Sequence, residues 1–265
     1  MKFGKYLPRK LENTELVIFD KDGTLIKHEE LFSNWIYNLV KNYSELIENV
    51  NEMYEYLGFN VDNFSFNSGS IVARGTNENV INAICNFIIN NNKSKKSPEE
   101  IKEYVIKNWI DIEINEQNLE TCGDILKLFK YLKNLNIKIA ICTSDDRLPT
   151  LKTINLLKIN EYVDYLVCGN DNISSKPSPE PIWRICSKLN VNVSNTIMVG
   201  DTISDIHAGL HAKCAYILGV LTGGYESHEL CEADTILESV NDLPEFINSK
   251  LIIHRIQSRK IRKYL

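Results

Sequence analysis

FDKDGTL, residues 19 to 25, joins the end of an apolar run to two acidic residues and a glycine. The run itself, LVIF at residues 16–19, has the composition of a short buried strand. Asp20 and Asp22 stand two residues apart, and two carboxylates this close repel each other unless a cation or a shared proton separates them. Asp-Gly is also a common turn dipeptide, so the stretch alone leaves two interpretations open, a plain turn and a charged site.

The composition of the chain is that of an ordinary globular protein. It has 265 residues, of which 43% are hydrophobic and 25% charged, enough for one large domain or two modest ones. A net charge of -5 does not indicate a basic surface that binds nucleic acid. No apolar run reaches the roughly 18 residues that span a bilayer. The cysteines include no C-x-x-C pair, and the N-terminus has no secretory h-region. We therefore expect a cytoplasmic protein with no nucleic-acid or membrane partner.

From residue 118 onward, continuous apolar stretches alternate with amphipathic ones. The predicted strands are IKIAICT, YVDYLVCG, NTIMVG and AYILGVL, and a helical pattern precedes each of them. This alternation indicates a parallel sheet covered by helices on both faces. The predicted fold class is therefore α/β, with a Rossmann-like three-layer α/β/α core. The strand at residues 16–19 must rejoin the sheet that the later half builds.

The segment between the first strand and this region has an all-helical pattern. Apolar residues recur with a helical period across residues 31–57, and helix starts follow at Thr76 and Ser97. We predict two domains, an α/β core of residues 1–26 and 118–265 and an all-helical domain of residues 27–117 inserted after the first strand.

Polar residues follow four of the predicted strands. Parallel α/β sheets bind ligands outside the carboxyl ends of their strands, so side chains at these positions should meet at one edge of the sheet. They are Asp20 and Asp22 after the first strand, Thr143, Ser144 and Asp145 after the second, Lys176 in the loop after the third, and Asp201 with Asp205 after the fourth. Acids, hydroxyls and one lysine from four strand ends favour a charged site over a set of turns.

Four motifs, in this order, resemble those of the haloacid dehalogenase-like hydrolases. They are FDKDGTL, the serine of ICTSDD, the lysine of SSKPSPEP, and GDTISD. The stretch AGLHAKCAYILGVLTGG is similar to the phosphoglycolate phosphatase-type branch of that family. The resemblance covers residues 14–27 and 118–247, and it implies that the inserted segment is a mobile helical cap.

The resemblance implies a magnesium-dependent phosphatase that works through an aspartyl-phosphate. Asp20 is the expected nucleophile, and Asp22 is the expected general acid and base. Ser144 and nearby backbone N–H groups are expected to hold the phosphoryl oxygens, and Lys176 to neutralise the charge that grows on them. The expected ligands of Mg2+, which prefers hard oxygen donors, are the Asp20 carboxylate, the Asp22 carbonyl, Asp201 and Asp205.

Neighbouring residues are expected to contribute to substrate binding or to orientation. The positions assigned to substrate binding are Gly23, Thr143, Asp145 and Arg74. Arg74 lies in the loop between helices of the inserted segment, where a guanidinium can clamp a carboxylate or a second phosphate. Thr24 is expected to orient Asp22.

Simpler structural roles stay open for several of these residues. The alternatives are a capping box with Thr202 for Asp205, a turn for Ser144, and a solvated position for Lys176 and Arg74. Lys21 stands where an apolar residue is more usual in the family. We expect it to lie away from the site, with its stem on apolar surface.

The expected substrate is a small phosphorylated metabolite, either phosphoglycolate-like or a sugar phosphate. A phosphosugar mutase of the same family uses the same acids and is the nearest alternative. A catalytically silent regulatory or scaffold protein is the alternative from another class, and the intact motifs argue against it. Dehalogenases of the family lack the second acid, which Asp22 supplies here.

Overall fold

The fold is described by a computed structural model covering residues 13–67, 70–91, 95–224 and 226–248. Of residues 73 and 74 only the backbone is described, so the predicted role of Arg74 lies outside the described residues. In chain order the strands are β1 (Leu16–Phe19), β2 (Phe59–Asn60), β3 (Ser65–Phe66), β4 (Lys138–Cys142), β5 (Tyr165–Val167), β6 (Thr196–Gly200), β7 (Tyr216–Val220) and β8 (Thr235–Leu237). The helices are α1 (Glu29–Lys41), α2 (Val50–Tyr56), α3 (Ile71–Arg74), α4 (Asn77–Asn90), α5 (Pro98–Lys107), α6 (Ile125–Asn134), α7 (Arg147–Leu156), α8 (Glu180–Leu189) and α9 (Ile203–Ala212). Among the described residues, no helix combines enough length with enough apolar character to cross a bilayer.

The six-stranded sheet is entirely parallel and has the order β5-β4-β1-β6-β7-β8. β1 lies in its interior, where Val17 pairs with Ile139 of β4 on one side and with Ile197 of β6 on the other. Every residue of β1 is buried, because a parallel sheet is covered on both faces. The prediction that the first strand rejoins the sheet of the later half is confirmed.

Two apolar clusters cover the two faces of the sheet, which is therefore the middle of three layers. Phe19 belongs to one cluster, where its ring lies 5.3 Å from that of Phe129 in α6. Ile18 belongs to the other, together with Ile182 of α8 and Ile206 of α9. Neighbouring residues of one strand reach opposite faces because strand side chains alternate. The predicted fold class is confirmed, and β8 adds a strand that the sequence did not predict.

A third apolar cluster lies in the segment between β1 and α6. Side chains of α1, α2, α4 and α5 build it, among them Trp35, Tyr54, Ile84 and Val105. None of the residues in this cluster belongs to the two clusters that cover the sheet. The helices of the segment thus bury their apolar faces against one another.

Two details of this segment differ from the prediction. The helical period across residues 31–57 is divided between α1 and α2, because Asn49 starts a new helix by accepting a hydrogen bond from the N–H of Asn51. The segment predicted to be all-helical also contains an antiparallel strand pair, β2 and β3. The side chain of Asn60 makes the turn of that pair by accepting a hydrogen bond from the N–H of Asp62, at 2.9 Å.

Candidate active site

The carboxyl ends of β1 and β6 bring two acidic residues side by side. The two strands are neighbours, and the N–H of Asp20 donates to the carbonyl of Val199 at 2.9 Å. Asp20 follows β1 directly, Asp201 follows β6, and Asp205 lies in the first turn of α9. One carboxylate oxygen from each of the three acids lies within 4.8 Å of the others. The structure therefore gathers these predicted residues into one acidic cluster.

Burial determines the electrostatics of the acidic cluster. Asp20 is 6% exposed, and Asp201 and Asp205 are fully buried. Burial raises the pKa of Asp20 to about 7; Lys176 acts in the opposite direction, while Asp205 and Asp22 add to the increase. Burial, followed by the charges of Asp20 and Asp205, also raises the pKa of Asp201 well above its usual range. Carboxylates this close in so little water need a cation if they are to be charged together.

Lys176 is one cation that the chain itself supplies. Its buried ammonium donates to Oδ1 of Asp20 and to Oδ1 of Asp205, each at 2.6 Å. Burial alone would lower the pKa of Lys176, but the charges of Asp20 and Asp205 raise it well above its ordinary value. The alternative of a solvated loop lysine is therefore wrong.

Asp201 has one carboxylate oxygen in a hydrogen bond and one without. Oδ1 accepts a hydrogen bond from the hydroxyl of Thr24 at 2.7 Å, so Thr24 orients Asp201 and not, as predicted, Asp22. Oδ2 is buried and has no hydrogen-bond partner among the described residues. Gly23 and Gly223 make room for this oxygen, since a β-carbon at either position would collide with it. A buried oxygen without a hydrogen-bond partner indicates a place where a ligand or ion binds.

Asp205 has two sets of partners. Its Oδ2 accepts hydrogen bonds from the N–H of Thr202 at 3.1 Å and from the hydroxyl of Thr202 at 2.7 Å, which completes a capping box at the start of α9. Its Oδ1 faces Lys176 and the acidic cluster. Capping the helix and taking part in the site are therefore compatible.

The acidic cluster fits a magnesium ion. Mg2+ takes hard oxygen ligands, and Asp20, Asp201 and Asp205 each offer one carboxylate oxygen to a common point. The unpartnered Oδ2 of Asp201 is the observation that favours a bound cation most directly.

Lys21 does not lie away from the site, and the prediction for it was wrong. Its side chain is 1% exposed, and its ammonium donates to Oδ1 of Asp22 at 2.9 Å and to Oδ2 of Asp145 at 2.8 Å. Burial alone lowers the pKa of Lys21, but the charges of Asp22 and Asp145 raise it above its ordinary value. The second carboxylate comes from a residue 124 positions further along the chain, so the local sequence could not show that this ammonium is paired.

Two cavities meet at Asp22. The smaller, about 40 Å³, is lined by Asp20, Asp22 and Lys176 among others, and it has room for one compact group. The larger, about 710 Å³, is lined by Lys21, Asp22 and Asp145 together with apolar and aromatic side chains of α1 and α7. Asp22 and Asp145 border both cavities, whereas Asp20 and Lys176 border only the smaller one and Lys21 only the larger one.

The residues that follow β4 have distinct contacts. Thr143 and Ser144 line the smaller cavity. The hydroxyl of Thr143 accepts a hydrogen bond from the N–H of Asp145 at 3.0 Å and so fixes the turn in which Ser144 lies. The structure thus brings Ser144 to the same cavity as Asp20.

These motifs, in this arrangement, occur in a known family. The sequence model described as haloacid dehalogenase-like hydrolase matches residues 17–218, which is most of the chain. The chain belongs to this family. The predicted family is thereby confirmed.

Three known proteins illustrate how similar this chain is to its relatives. It is 29% identical over 138 residues to pyrophosphatase PpaX of Halalkalibacterium halodurans, a segment that is 51% of this chain and 64% of the relative. It is 35% identical over 98 residues to a phosphoglycolate phosphatase of Salmonella paratyphi A, which is 36% of this chain and 37% of the relative. The chain thus spans less than two thirds of the length of these relatives. The crystal structure of a β-phosphoglucomutase from Clostridium difficile superimposes with a TM-score of 0.63 at 22% identity, covering 91% of this chain and 99% of that one, and shares the fold.

Asn77 is a site residue that was not predicted from the sequence. Asn77, in the first turn of α4, lines both cavities and donates a hydrogen bond to Oδ2 of Asp146 at 2.9 Å. Asp146 lies at the start of α7, so this bond links the inserted segment to the α/β part. The sequence showed that Thr76 starts a helix there, but it could not show what the first turn of that helix faces.

Thr24→Val is expected to weaken magnesium binding. Valine has nearly the shape of threonine, but it cannot donate the hydrogen bond that orients Asp201. Loss of an outer partner of a metal ligand costs about 10- to 100-fold in metal affinity. The magnesium concentration that produces a given rise in the thermal unfolding temperature should therefore increase by about that factor.

Thr196→Val is the matched control for this experiment. Thr196 is fully buried at the start of β6, whereas Asp201 follows the other end of that strand. This variant should keep the magnesium dependence of the wild type. Equal magnesium dependence in the two variants would contradict the orienting role of Thr24.

Proposed function

We propose that this chain is a magnesium-dependent phosphatase that hydrolyses a small phosphorylated metabolite through an aspartyl-phosphate on Asp20. The observation that carries the proposal is the carboxylate of Asp20, which Lys176 holds at 2.6 Å and which lies in one buried cluster with Asp205 and with Asp201, whose Oδ2 has no hydrogen-bond partner among the described residues. The family, and the names of two sequence relatives, a pyrophosphatase and a phosphoglycolate phosphatase, support a phosphoryl-transfer reaction.

The proposed metal ligands are the carboxylate of Asp20, the carbonyl of Asp22, Asp201 and Asp205. When bound, Mg2+ supplies positive charge that offsets the repulsion between a carboxylate nucleophile and a dianionic phosphate. Lys176 contributes a second positive charge next to Asp20 without closing off the smaller cavity, which both residues line.

The proposed reaction has two steps, and each uses both aspartates of FDKDGTL. First, a carboxylate oxygen of Asp20 attacks phosphorus and the bond to the leaving oxygen breaks, while the carboxyl of Asp22 gives its proton to that oxygen. Then Asp22 takes a proton from water as the water oxygen attacks phosphorus. Inorganic phosphate leaves, and Asp20 is again a carboxylate. Reactions of this kind depend mainly on positioning and electrostatics.

Binding of the phosphoryl oxygens is assigned to side chains of the smaller cavity. Lys176 and Ser144 line it, with backbone N–H groups of the same loops as further donors. Thr143 and Asp145 also line this cavity, which supports their assignment to substrate binding. Gly23 contributes by leaving space beside Asp201.

The leaving group is proposed to enter the larger cavity. Phe32 and Trp35 of the inserted segment line it from one side, and Leu148 of α7 lines it from the other. This arrangement supports the division into a core of residues 1–26 and 118–265 and a cap of residues 27–117. A volume of about 710 Å³ accommodates either a phosphoglycolate-like molecule or a sugar phosphate.

A panel of phosphorylated metabolites, with free phosphate as the readout, tests the proposed function. Wild-type protein with magnesium should release phosphate from at least one phosphate monoester, and Asp20→Asn should release none from any of them. Release by both proteins at the same rate would contradict the proposal. With a hexose 1-phosphate, appearance of the 6-phosphate without free phosphate would indicate a mutase. No turnover of the panel or of an aryl phosphate would favour a regulatory or scaffold protein.

Arg74→Ala is expected to raise KM for an anionic metabolite and to change kcat on a small aryl phosphate little. This pattern marks the loss of ground-state binding by a guanidinium that contacts the part of the substrate away from phosphorus. Steady-state kinetics on both substrates provide the measurement. Arg147→Ala is the control, because Arg147 is already bound to Asp171, with Nε 3.0 Å from Oδ1. Equal losses on both substrates would place Arg74 in the chemistry or in the fold instead.

The cytoplasm is the proposed location, and the proposed partner is a small phosphate ester, with neither nucleic acid nor a membrane. None of the seven cysteines, all of which lie in the described residues, forms a disulfide, and six of them are buried, which suits a reducing compartment.

A further inference from the structure

Lys21 is the most unusual charged residue of the site. An ammonium that is 1% exposed is costly to bury, and it is found inside proteins only when it is paired. Its two partners, Asp22 and Asp145, belong to different loops, one after β1 and one after β4. The side chain therefore joins two strand ends of the sheet by a charged bridge.

The Asp145 end of this bridge is fixed independently of Lys21. Its Oδ1 accepts a hydrogen bond from the N–H of Asp146 at 2.7 Å, and its carbonyl accepts one from the N–H of Gly169 at 2.8 Å. The Asp22 end is not fixed in this way. Within the described part of the chain, Lys21 is the sole hydrogen-bond donor to the Asp22 carboxylate. The ammonium of Lys21 thus connects the Asp22 carboxylate to Asp145, which other hydrogen bonds hold in place.

The position of Asp22 gives this bridge its importance. Asp22 borders both the smaller and the larger cavity, which is where the bond between phosphorus and the leaving oxygen must lie. The ammonium holds Oδ1, and it does so from the side of the larger cavity, which Lys21 lines. Oδ2 accepts no hydrogen bond within the described part of the chain and is left for proton transfer. A carboxyl without this restraint would adopt several side-chain rotamers, of which few would reach the leaving oxygen.

We infer that Lys21 is a positioning residue, which acts through Asp22 by holding its carboxylate at the junction of the two cavities against the anchored Asp145. The inference rests on the proposed function, because it takes Asp22 to be the general acid and base. Lys21 lines only the larger cavity, whereas Asp20, the proposed nucleophile, lines only the smaller one.

A double-mutant cycle on Lys21→Met and Asp22→Asn tests this inference. Methionine keeps the length of the side chain and removes the ammonium. With an alkyl phosphate from the metabolite panel, Lys21→Met should lower kcat by about 100-fold, the loss that a misplaced catalytic group typically causes. If Lys21 acts through Asp22, adding Lys21→Met to Asp22→Asn should lower kcat further by no more than about twofold. A kcat in the double variant that is lowered by the product of the two single-variant losses would overturn the inference.

A second readout separates positioning from a general loss of structure. With 4-nitrophenyl phosphate, whose leaving group needs no acid, release of nitrophenol in the first turnover should keep nearly its wild-type rate in Lys21→Met, while steady-state turnover falls. An equal fall in both rates would show that Lys21 supports the fold of the site and not Asp22 in particular. Lys27→Met, which breaks an exposed pair with Glu120 at 3.0 Å, is the control and should match the wild type.

Two additional comparisons keep the test decisive. Lys21→Met alone leaves the carboxylate of Asp145 without its ammonium, and that variant can fail to fold. In that case Lys21→Met/Asp145→Asn removes the unpaired charge. The double-mutant cycle with Asp22→Asn is then carried out on this variant in place of Lys21→Met. Failure of the inference also differs from failure of the proposed function. If only the inference fails, the wild type turns over and Asp20→Asn does not, but the losses from Lys21→Met and Asp22→Asn multiply. If the proposed function fails, Asp20→Asn turns over as the wild type does.

Discussion

Asp20→Asn is expected to form no phosphoenzyme, whereas Asp22→Thr is expected to accumulate one. The amide of asparagine does not replace the carboxylate as nucleophile, so no covalent bond to phosphorus forms. Asp22→Thr keeps the nucleophile and the backbone carbonyl at position 22, but it removes the acid and base. General acid–base help contributes about 10²- to 10⁴-fold to a rate, so hydrolysis of the aspartyl-phosphate should slow by about that factor.

The measurement is the intact protein mass after a rapid acid quench, with an aryl phosphate whose leaving group needs no acid. Asp22→Thr should show a phosphoryl adduct on Asp20, and wild type should show much less because it hydrolyses the adduct. A phosphoryl adduct on Asp22 in the Asp20→Asn protein would show that the two roles are reversed. Turnover by Asp20→Asn near the wild-type rate would exclude Asp20 as the nucleophile.

Removal of divalent metal is expected to abolish turnover, and magnesium is expected to restore it. The buried carboxylates of Asp20, Asp201 and Asp205 lie within 4.8 Å of one another, and Lys176 pairs with only two of them. Calcium should inhibit, because it takes more ligands at longer distances than magnesium and favours carboxylates bound through both oxygens. Side-on binding of that kind would misplace the nucleophile.

Phosphate release in EDTA, and after addition of magnesium or calcium, provides the activity measurement. A second measurement, independent of turnover, is the thermal unfolding temperature. Magnesium should raise it in wild type, because an ion that binds only the folded chain stabilises it. The rise should be smaller in Asp201→Asn, which lacks the charge of the unpartnered oxygen. Full activity in EDTA, in protein shown to contain no metal, would contradict the proposed metal site.

The fold could be predicted from the sequence for those segments whose apolar pattern arises from only one kind of secondary-structure element. Continuous apolar runs such as LVIF arise when a strand is buried on both faces, and β1 is such a strand. The period across residues 31–57 was less informative, because two consecutive helices on one core repeat their apolar residues with the same spacing as a single helix. β2 and β3 are only two residues long each, too short for an alternating pattern.

The site was predictable to the extent that topology determines it. The rule that parallel strands present ligands at their carboxyl ends was enough to place Asp20, Lys176 and Asp201 together. The pairings of Lys21 with Asp145 and of Thr24 with Asp201 were not predictable. Each joins residues more than a hundred positions apart, and the separations are 124 and 177. Thr24 was assigned to Asp22, its neighbour in the sequence, whereas Lys21 was expected to lie away from the site and was assigned no partner.

The central position of β1 makes the order of synthesis different from the order of assembly. Leu16–Phe19 leave the ribosome early, but the strands on either side of them contain residues 138–142 and 196–200. Until the second of these has been made, one edge of β1 has no permanent partner, and a strongly apolar strand with an open edge can pair with other chains. The inserted helices are in a different situation, because the buried members of their apolar cluster lie within residues 35–105 and can pack together as soon as that stretch is complete. Contacts between residues far apart in sequence form slowly. Asp20, Asp201 and Asp205 therefore cannot come together before residue 205 has been made, and a chain that stops before residue 196 lacks a strand that pairs with β1.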